Sequence, residues 1–319
     1  MACRFYREEE VAQLLDMATA IDVVDQAYLQ LAIGGAENAP RRRTRAPGFV
    51  LHGMHATADY LKLAGWKHYS TTREGARFHV GLYDCETGEM RALLEADSLG
   101  QLRTSAATGV AARYLANKPI HQIGLFGTGW QAEGQLEALA AELPLKTAIV
   151  YSRNESKRQA FATKMRDQLG IDVLPVHDPR EAVEDLPLVV TATTSRDPVF
   201  DGNLLAEGAL VCGVGSNWLH KAELDVVTIR RADNLVCDSI EACQLEAGDF
   251  AFAQEQGHLD WQRVVSLGDV IAGECVGRNN PDSVVVFKTV GLAILDVALG
   301  AKFLERASGR DDLGVDLPF

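Results

Sequence analysis

A glycine-rich turn with the sequence GTGWQA occupies residues 127–132, between a short apolar segment and an amphipathic one. A strand, such a turn and a helix in succession form the usual binding element for the pyrophosphate of a dinucleotide. Gly127 allows the tight turn, Gly129 lets phosphates approach the backbone, and the small Ala132 lets the helix pack on the strand. The alternative is a glycine-rich turn without a ligand, but the surrounding strand and helix favour a dinucleotide site.

The residues after the second predicted strand of this region, Ser152, Arg153 and Asn154, bear on which dinucleotide binds. Sites for NAD(H) usually present an acidic residue here, which accepts a hydrogen bond from the ribose 2′-hydroxyl. Ser152 and Arg153 offer a hydroxyl and a cation instead, and these suit the 2′-phosphate of NADP(H). The pattern favours NADP(H) over NAD(H), although a solvated Arg153 would give the same sequence.

Basic side chains in the first third of the chain are candidates for binding an acidic substrate. The segment 40–47 holds four arginines, and Arg103 follows later. Arginine binds a carboxylate through two parallel hydrogen bonds, so two arginines could fix one carboxylate in a defined plane. Lys67 follows an apolar segment, and burial would lower its pKa toward values useful for proton transfer. Taken singly, each of these residues is more often a solvated surface charge.

Composition argues against several classes of function. The formal net charge of −13 over 319 residues disfavours binding to nucleic acid or to an anionic membrane surface. A membrane helix needs about 18 consecutive apolar residues, and no segment approaches that length. The N-terminus lacks the apolar core of a signal peptide, so we expect a cytoplasmic protein. The six cysteines and eight histidines show no metal-binding spacing, and no hydrolase-type nucleophile motif is present.

The pattern of apolar residues changes near residue 118. Before it, a helix predicted over 8–33, a basic loop over 40–47 and short alternating segments indicate a small domain with antiparallel strands. After it, short apolar strands alternate with helices, which indicates a parallel sheet covered on both faces. We therefore predict an α/β protein with a Rossmann-type, doubly wound domain over 119–299 and a smaller α/β domain over 1–118, to which residues 300–319 return.

The residues resemble the ornithine cyclodeaminase/mu-crystallin family along nearly the whole chain. The matching positions, in chain order, are Pro40-Arg41, Met54, Gly65-Trp66-Lys67, Asp84, Thr87-Gly88, residues 103–107, the turn at 127–132, Thr191-Ala192-Thr193, residues 213–217, Glu223-Leu224-Asp225, residues 287–291 and Asp296. The resemblance implies a Rossmann domain and a smaller domain that binds the substrate and forms a homodimer.

Carried over position by position, the resemblance implies a substrate site with Lys67, Arg103 and either Arg41 or Arg43, with Val290 facing the substrate. The positions expected at the cofactor are Gly127, Thr128, Gly129, Trp130, Gln131, Ser152, Arg153, Asn154, Thr193, Gly213, Val214, Lys221 and Thr289.

Asn217 departs from the family pattern, because the cyclodeaminases have at this position an aspartate that acts in proton transfer. An amide cannot exchange a proton as a carboxylate does, so the substitution disfavours ornithine cyclisation. The resemblance then implies an NAD(P)H-dependent reductase of small 2-imino acids, such as Δ1-pyrroline-2-carboxylate, or an amino-acid dehydrogenase. The alternatives are ornithine cyclodeaminase itself, a non-catalytic binding protein like mu-crystallin, and a dinucleotide-binding regulator. A pure binder would not need both Lys67 and Arg103.

Overall fold

The computed structural model describes residues 3–318 as a succession of short strands and helices. The strands are β1 (Arg4–Tyr6), β2 (Ala36–Ala46), β3 (Phe49–Ala58), β4 (Leu63–Thr71), β5 (Ala76–Asp84), β6 (Met90–Glu95), β7 (Gln122–Phe126), β8 (Thr147–Tyr151), β9 (Asp172–Pro175), β10 (Leu188–Thr191), β11 (Leu210–Gly213), β12 (Asn234–Cys237), β13 (Val264–Ser266), β14 (Val285–Lys288) and β15 (Val315–Asp316). The α-helices are α1 (Glu8–Leu14), α2 (Met17–Ala32), α3 (Asp97–Leu115), α4 (Trp130–Glu142), α5 (Glu155–Leu169), α6 (Val226–Arg231), α7 (Ile240–Glu246), α8 (Gly248–Glu255), α9 (Leu267–Ile271) and α10 (Ala293–Ala307). Within these described residues, no helix combines the length and the apolar character needed to cross a bilayer.

The chain divides into two compact units. Unit 1 contains the described residues up to Arg103 and those from Gly291 onward, and unit 2 is Thr104–Val290. The sequence suggested boundaries at residue 118 and near residue 300, whereas the structure divides the chain inside α3 and just before α10. Because α3 is one continuous helix through residue 103, the sequence there gives no sign of a change of unit.

Unit 1 is built on a seven-stranded sheet with the order β15-β1-β6-β5-β4-β3-β2. Strands β2 to β6 pair antiparallel in chain order, and β1 pairs parallel with β6. Side chains on β3 and β4 alternate between buried and more exposed positions. The buried face of this sheet packs against α10, which also contacts α2.

Helix α10 approaches β4 closely because residue 65 is a glycine. A Cβ atom at Gly65 would lie 2.6 Å from the carbonyl oxygen of Gly81 and 2.9 Å from Cγ2 of Val297. The apolar face of α10 is buried against the sheet, and the side chain of Asp296 on this helix is fully buried as well. The sequence therefore brings an acidic residue of the last helix within reach of the inward-facing residues of β4.

Two local predictions in unit 1 are wrong. The segment 40–47 is not a loop, because β2 continues to Ala46 with a bulge between Ala39 and Arg42. Arg41 is buried as a result, while Arg42 is exposed. The helix predicted over 8–33 is interrupted between α1 and α2, where the side chain of Asp16 accepts a hydrogen bond from the Thr19 N–H (2.8 Å) and begins a new helix.

Unit 2 is an eight-stranded parallel sheet with the order β13-β12-β14-β11-β10-β7-β8-β9. The chain builds outward from β7 to β8 and β9, then reverses and builds from β10 in the other direction. Ligands of doubly wound sheets bind outside the carboxyl ends of the strands at such a reversal. The predicted α/β fold class is confirmed, and the glycine-rich turn at 127–132 follows β7 at the reversal point.

Replacing Gly65 with alanine should destabilise the protein by about 1–3 kcal/mol, because the new methyl group forces β4 away from the Gly81 backbone and from α10. Gly53→Ala on neighbouring β3 is the matched control, since a Cβ there would meet only the side chain of His68, at 3.3 Å from Nε2 and 3.4 Å from Cδ2. Denaturation midpoints of the two variants, measured side by side, test this. Equal midpoints would contradict the close packing of α10.

Candidate functional site

The buried charged side chains among the described residues of unit 1 are Arg41, Lys67, Arg103 and Asp296, which we call the cationic cluster. The Lys67 ammonium donates to Oδ1 of Asp296 (2.7 Å), and Arg103 Nε donates to the same oxygen (3.2 Å). Arg41 Nε donates to Sδ of Met54 (3.2 Å), and Met54 is paired with Lys67 across β3 and β4. Three cations therefore accompany one carboxylate in the interior of this unit.

Four separate elements of unit 1 supply these side chains, and glycines make room for them. Lys67 extends from β4 over Gly100 of α3, where a Cβ atom would lie only 2.9 Å from Nζ. The Arg103 guanidinium passes over Gly291, whose φ of +85° favours glycine and whose added Cβ would lie 2.6 Å from Nη1. The backbone is thus shaped around the ends of both cations.

The surroundings of Lys67 adjust its acidity. Burial lowers the pKa of Lys67 from 10.5 to about 8; Arg103 and Arg41 also lower it, while Asp296 raises it. The ammonium lies 5.0 Å from the centre of the Phe78 ring, which favours the charged form. A lysine with such a pKa is mostly protonated at neutral pH and can still give up its proton, as a general acid must.

The structure distinguishes the two arginines that the sequence left open. Arg43 is half-buried, and its Nε donates to Nδ1 of His52 (3.2 Å). His52 stacks on Tyr69 with 3.9 Å between ring centres. Burial, followed by repulsion from Arg43, lowers the pKa of His52 to about 3, so its imidazole is neutral and can accept this hydrogen bond. Arg41, in contrast, belongs to the cationic cluster.

Unit 2 contains a cavity of about 510 Å³ at the carboxyl ends of β7 and β10. Its lining includes seven of the positions expected at the cofactor: Gly127, Thr128, Gly129, Ser152, Arg153, Asn154 and Thr193. The lining also includes Lys157, Ser195 and Asp197, which the sequence did not single out. Lys157 lies four residues after Arg153, a spacing that could have identified it as a second cation at this end of the cavity.

The glycine-rich turn in this cavity fits the pyrophosphate of a dinucleotide. Gly127 has a φ of +115°, and a Cβ atom there would lie 2.3 Å from the carbonyl oxygen of Ala192. At Gly129 an added Cβ would meet no heavy atom within 4 Å, so the backbone faces open space. Helix α4 begins directly afterwards, and Gly129 at its N-terminus provides no capping side chain. The N-terminus of a helix, with its backbone N–H groups and positive dipole end, favours an anion. The described residues contain no group of three or more His, Cys, Asp or Glu suited to a metal ion.

The expected ribose end of the cavity is ordered by short polar contacts. The Ser152 hydroxyl accepts from the Thr128 hydroxyl (3.1 Å) and donates to the carbonyl oxygen of Asn154 (3.3 Å). Oδ1 of Asn154 accepts from the Lys157 N–H (2.9 Å) and thereby begins α5. Arg153 and Lys157 are exposed at the rim. The turn after β8 therefore offers hydroxyl and cationic groups where NAD(H) sites usually offer a carboxylate.

The remaining predicted positions of unit 2 lie outside the lining of this cavity. They are Trp130 and Gln131 in the first turn of α4, Gly213 and Val214 at the end of β11, Asn217 and Lys221 in the following loop, and Thr289 and Val290 after β14. The hydroxyl of Thr289 and the N–H of Val290 both donate to Oδ2 of Asp238 (2.7 and 2.8 Å). These two residues are buried, and Asp238 fixes the backbone at the end of β14.

Sequence comparison finds relatives along most of the chain. A Δ(1)-pyrroline-2-carboxylate reductase of Bacillus cereus is 37% identical over 229 residues, which cover 72% of this chain and 70% of that protein. An alanine dehydrogenase of Archaeoglobus fulgidus is 31% identical over 312 residues, or 95% of each protein.

The structure also resembles that of Thermococcus litoralis Δ(1)-pyrroline-2-carboxylate reductase in complex with NADH and L-proline. The two superpose with a TM-score of 0.93 at 30% identity, over 98% of this chain and 100% of that one. The family model of the ornithine cyclodeaminase/mu-crystallin family matches residues 3–311. The chain therefore belongs to the ornithine cyclodeaminase/mu-crystallin family.

Proposed function

We infer that the chain is an oxidoreductase that uses a nicotinamide dinucleotide to reduce small 2-imino acids, with Δ1-pyrroline-2-carboxylate as the best-supported substrate. The observation that carries this inference is the cationic cluster, because buried positive charge is costly unless an anion accompanies it. A 2-imino acid supplies a carboxylate directly beside the C=N bond to be reduced. The activities named for the Bacillus and Thermococcus relatives support the same substrate.

Arg41 and Arg103 are suited to bind the substrate carboxylate. Guanidinium groups bind carboxylates through paired, charge-assisted hydrogen bonds, and both of these arginines are almost completely buried. Asp296 holds Arg103 through Nε (3.2 Å), which fixes the guanidinium before any ligand arrives. Such preorganisation reduces the entropy lost on binding and favours acids over neutral imines.

Lys67 is the proton donor in this proposal. Reduction of a C=N bond to an amine requires a hydride at carbon and a proton at nitrogen, and the bound dinucleotide supplies the hydride. Asp296 holds the Lys67 ammonium at 2.7 Å, so the proton donor and the carboxylate-binding Arg103 share one rigid anchor. An acyclic 2-imino acid is the second candidate substrate, because the A. fulgidus relative, which matches nearly the whole chain, is named an alanine dehydrogenase.

NADP(H) is the cofactor that the polar end of the cavity favours. Arg153 and Lys157 lie at its rim, beside the hydroxyl of Ser152. Two cations near one ribose compensate the charge of a 2′-phosphate, whereas a 2′-hydroxyl gains little from them.

Lys67→Met should lower kcat by about 100-fold or more, because the variant keeps the volume of the side chain but cannot donate a proton. Lys302→Met on the surface of α10, whose ammonium pairs with Glu305 (2.9 Å), is the matched control and should retain its turnover. Steady-state reduction of Δ1-pyrroline-2-carboxylate measures both. Near-normal turnover in Lys67→Met would rule out Lys67 as the acid.

The rate should also report the pKa of Lys67. If the ammonium is the required form, kcat/KM for the imine at saturating dinucleotide is constant at lower pH and falls as pH rises through about 8. Asp296→Asn removes the group that raises this pKa, so the fall should move to lower pH. Asp249→Asn, which breaks an equally buried pair with Lys288 (2.8 Å) in unit 2, should leave the position of the fall unchanged. If the pH dependence of kcat/KM does not move in Asp296→Asn, Lys67 is not the group that titrates.

Arg153→Ala should weaken NADPH binding by about 1–3 kcal/mol and leave NADH binding little changed, because only NADPH carries the 2′-phosphate. Arg230→Ala, at an exposed position of α6, is the control for a general loss of positive charge. Titration of each variant with both dinucleotides gives the comparison. Equal losses for NADH and NADPH would show that Arg153 does not recognise the phosphate.

The wild-type protein should release ammonia from ornithine slowly or not at all with catalytic NAD⁺. Cyclodeamination requires a base near the amine and then an acid for the departing ammonia, and Asn217 can provide neither. Asn217→Asp restores a titratable group and should raise the ammonia released. Rapid release by the unmodified protein would favour ornithine cyclodeaminase over the reductase.

A further inference from the structure

Glu223 is a fully buried carboxylate of unit 2 that joins the ends of two neighbouring strands. Its Oε1 accepts from the N–H and the hydroxyl of Thr193, both at 2.6 Å. Its Oε2 accepts from the N–H of Gly215 (2.6 Å) and the hydroxyl of Thr191 (3.1 Å). One side chain thus ties the turn after β10 to the turn after β11.

The two turns meet so closely that no side chain fits between them. A Cβ atom at Gly215 would lie 2.3 Å from the carbonyl oxygen of Thr193 and 2.5 Å from Oε1 of Glu223. The Thr193 hydroxyl also accepts from the N–H of Ser195 (3.1 Å), so the contact extends along the turn. Thr193 and Ser195 both line the dinucleotide cavity, whereas Glu223 does not.

A buried ion pair between Asp249 and Lys288 holds the backbone of Glu223 in place. The N–H groups of Glu223 and Leu224 donate to Oδ1 of Asp249 (2.7 and 2.9 Å). The other oxygen of Asp249 lies 2.8 Å from the ammonium of Lys288, which donates to the carbonyl oxygen of Ser216 (2.9 Å). The turn after β11 is therefore fixed at Gly215 by Glu223 and at Ser216 by Lys288.

We propose that Glu223 is a positioning residue that sets dinucleotide affinity by fixing the turns after β10 and β11, without touching the dinucleotide itself. The inference rests on the proposed function, since it assumes that this cavity binds the cofactor. The Glu223 carboxylate can accept from the backbone N–H groups of both Thr193 and Gly215, whereas a glutamine at this position would present its amide N–H₂ to one of them. Because a buried donor without an acceptor is costly, the turns in a glutamine variant would leave the native arrangement. When only a fraction of the protein holds the binding conformation, the apparent Kd rises by the inverse of that fraction.

The experiment compares Glu223→Gln with Glu246→Gln, which alters an equally buried carboxylate on α7, and with Thr191→Val. Thr191 is buried, and its hydroxyl contacts Glu223 but does not line the cavity. The Kd values for NADH and NADPH are measured in the absence of imino acid, well below the melting temperature of each variant. Glu223→Gln should raise the Kd for each dinucleotide about tenfold or more, and Thr191→Val should raise it by a smaller factor. The Kd values of Glu246→Gln should stay near those of the wild type.

Hydrogen exchange without any dinucleotide gives a second readout. The N–H groups of Thr193 and Gly215 should exchange slowly in wild type and in Glu246→Gln, and faster in Glu223→Gln and Thr191→Val. Unchanged Kd values and unchanged exchange in the two clamp variants, Glu223→Gln and Thr191→Val, would overturn this inference alone. If Glu223→Gln fails to fold, Thr191→Val decides by the same criteria. Failure of the wild type to bind either dinucleotide would overturn the proposed function together with this inference.

Discussion

The ion pair between Lys67 and Asp296 is the contact on which the interior of unit 1 depends. It joins β4 to α10, two elements more than two hundred residues apart in the chain, and both side chains are buried. Burying an ion pair gains little stability, because the cost of desolvation offsets much of the attraction, and apolar residues of similar volume often serve as well. A protein that needed only a packed core would have little use for this pair. Its presence beside Arg41 and Arg103 is best explained by a ligand that carries charge.

The two units use buried carboxylates in different ways. Oδ1 of Asp296 contacts Lys67 and Arg103, while its other oxygen has no hydrogen-bond partner among the described residues. Both oxygens of Glu223 are fully occupied by donors from two turns. A completely satisfied carboxylate makes the backbone around it rigid, whereas a shared carboxylate among several cations leaves positive charge for a substrate. In the proposed function, chemistry on the imino acid and rigidity of the dinucleotide cavity thus rest on the same type of side chain in different surroundings.

Local patterns predicted the parts of the site that lie close together in the chain. The glycine-rich turn and the α/β alternation of unit 2 were recognisable from spacing alone, whereas Lys67 was assigned to the site through the resemblance to the family. The sequence could not show that Asp296 meets Lys67, because that contact depends on how α10 packs over Gly65. Nor could it show that a bulge turns Arg41 inward while Arg43 binds His52, since a basic segment resembles a solvated loop. Glu223 was noticed only as part of a matching motif, because its four donors come from turns that the fold brings together.

The most direct test of the central claim compares two isomeric imines with the wild-type protein. In Δ1-pyrroline-2-carboxylate the carboxylate is attached to the carbon of the C=N bond, whereas in the 5-carboxylate isomer it lies on the other side of the nitrogen. In the proposed function Asp296 anchors both Arg103, which binds the carboxylate, and Lys67, which donates the proton, so the site should accept only the first geometry. We predict rapid loss of the absorbance of the reduced dinucleotide with the 2-carboxylate and little or none with the 5-carboxylate. Equal rates with the two isomers, or no reaction with the 2-carboxylate, would contradict the account.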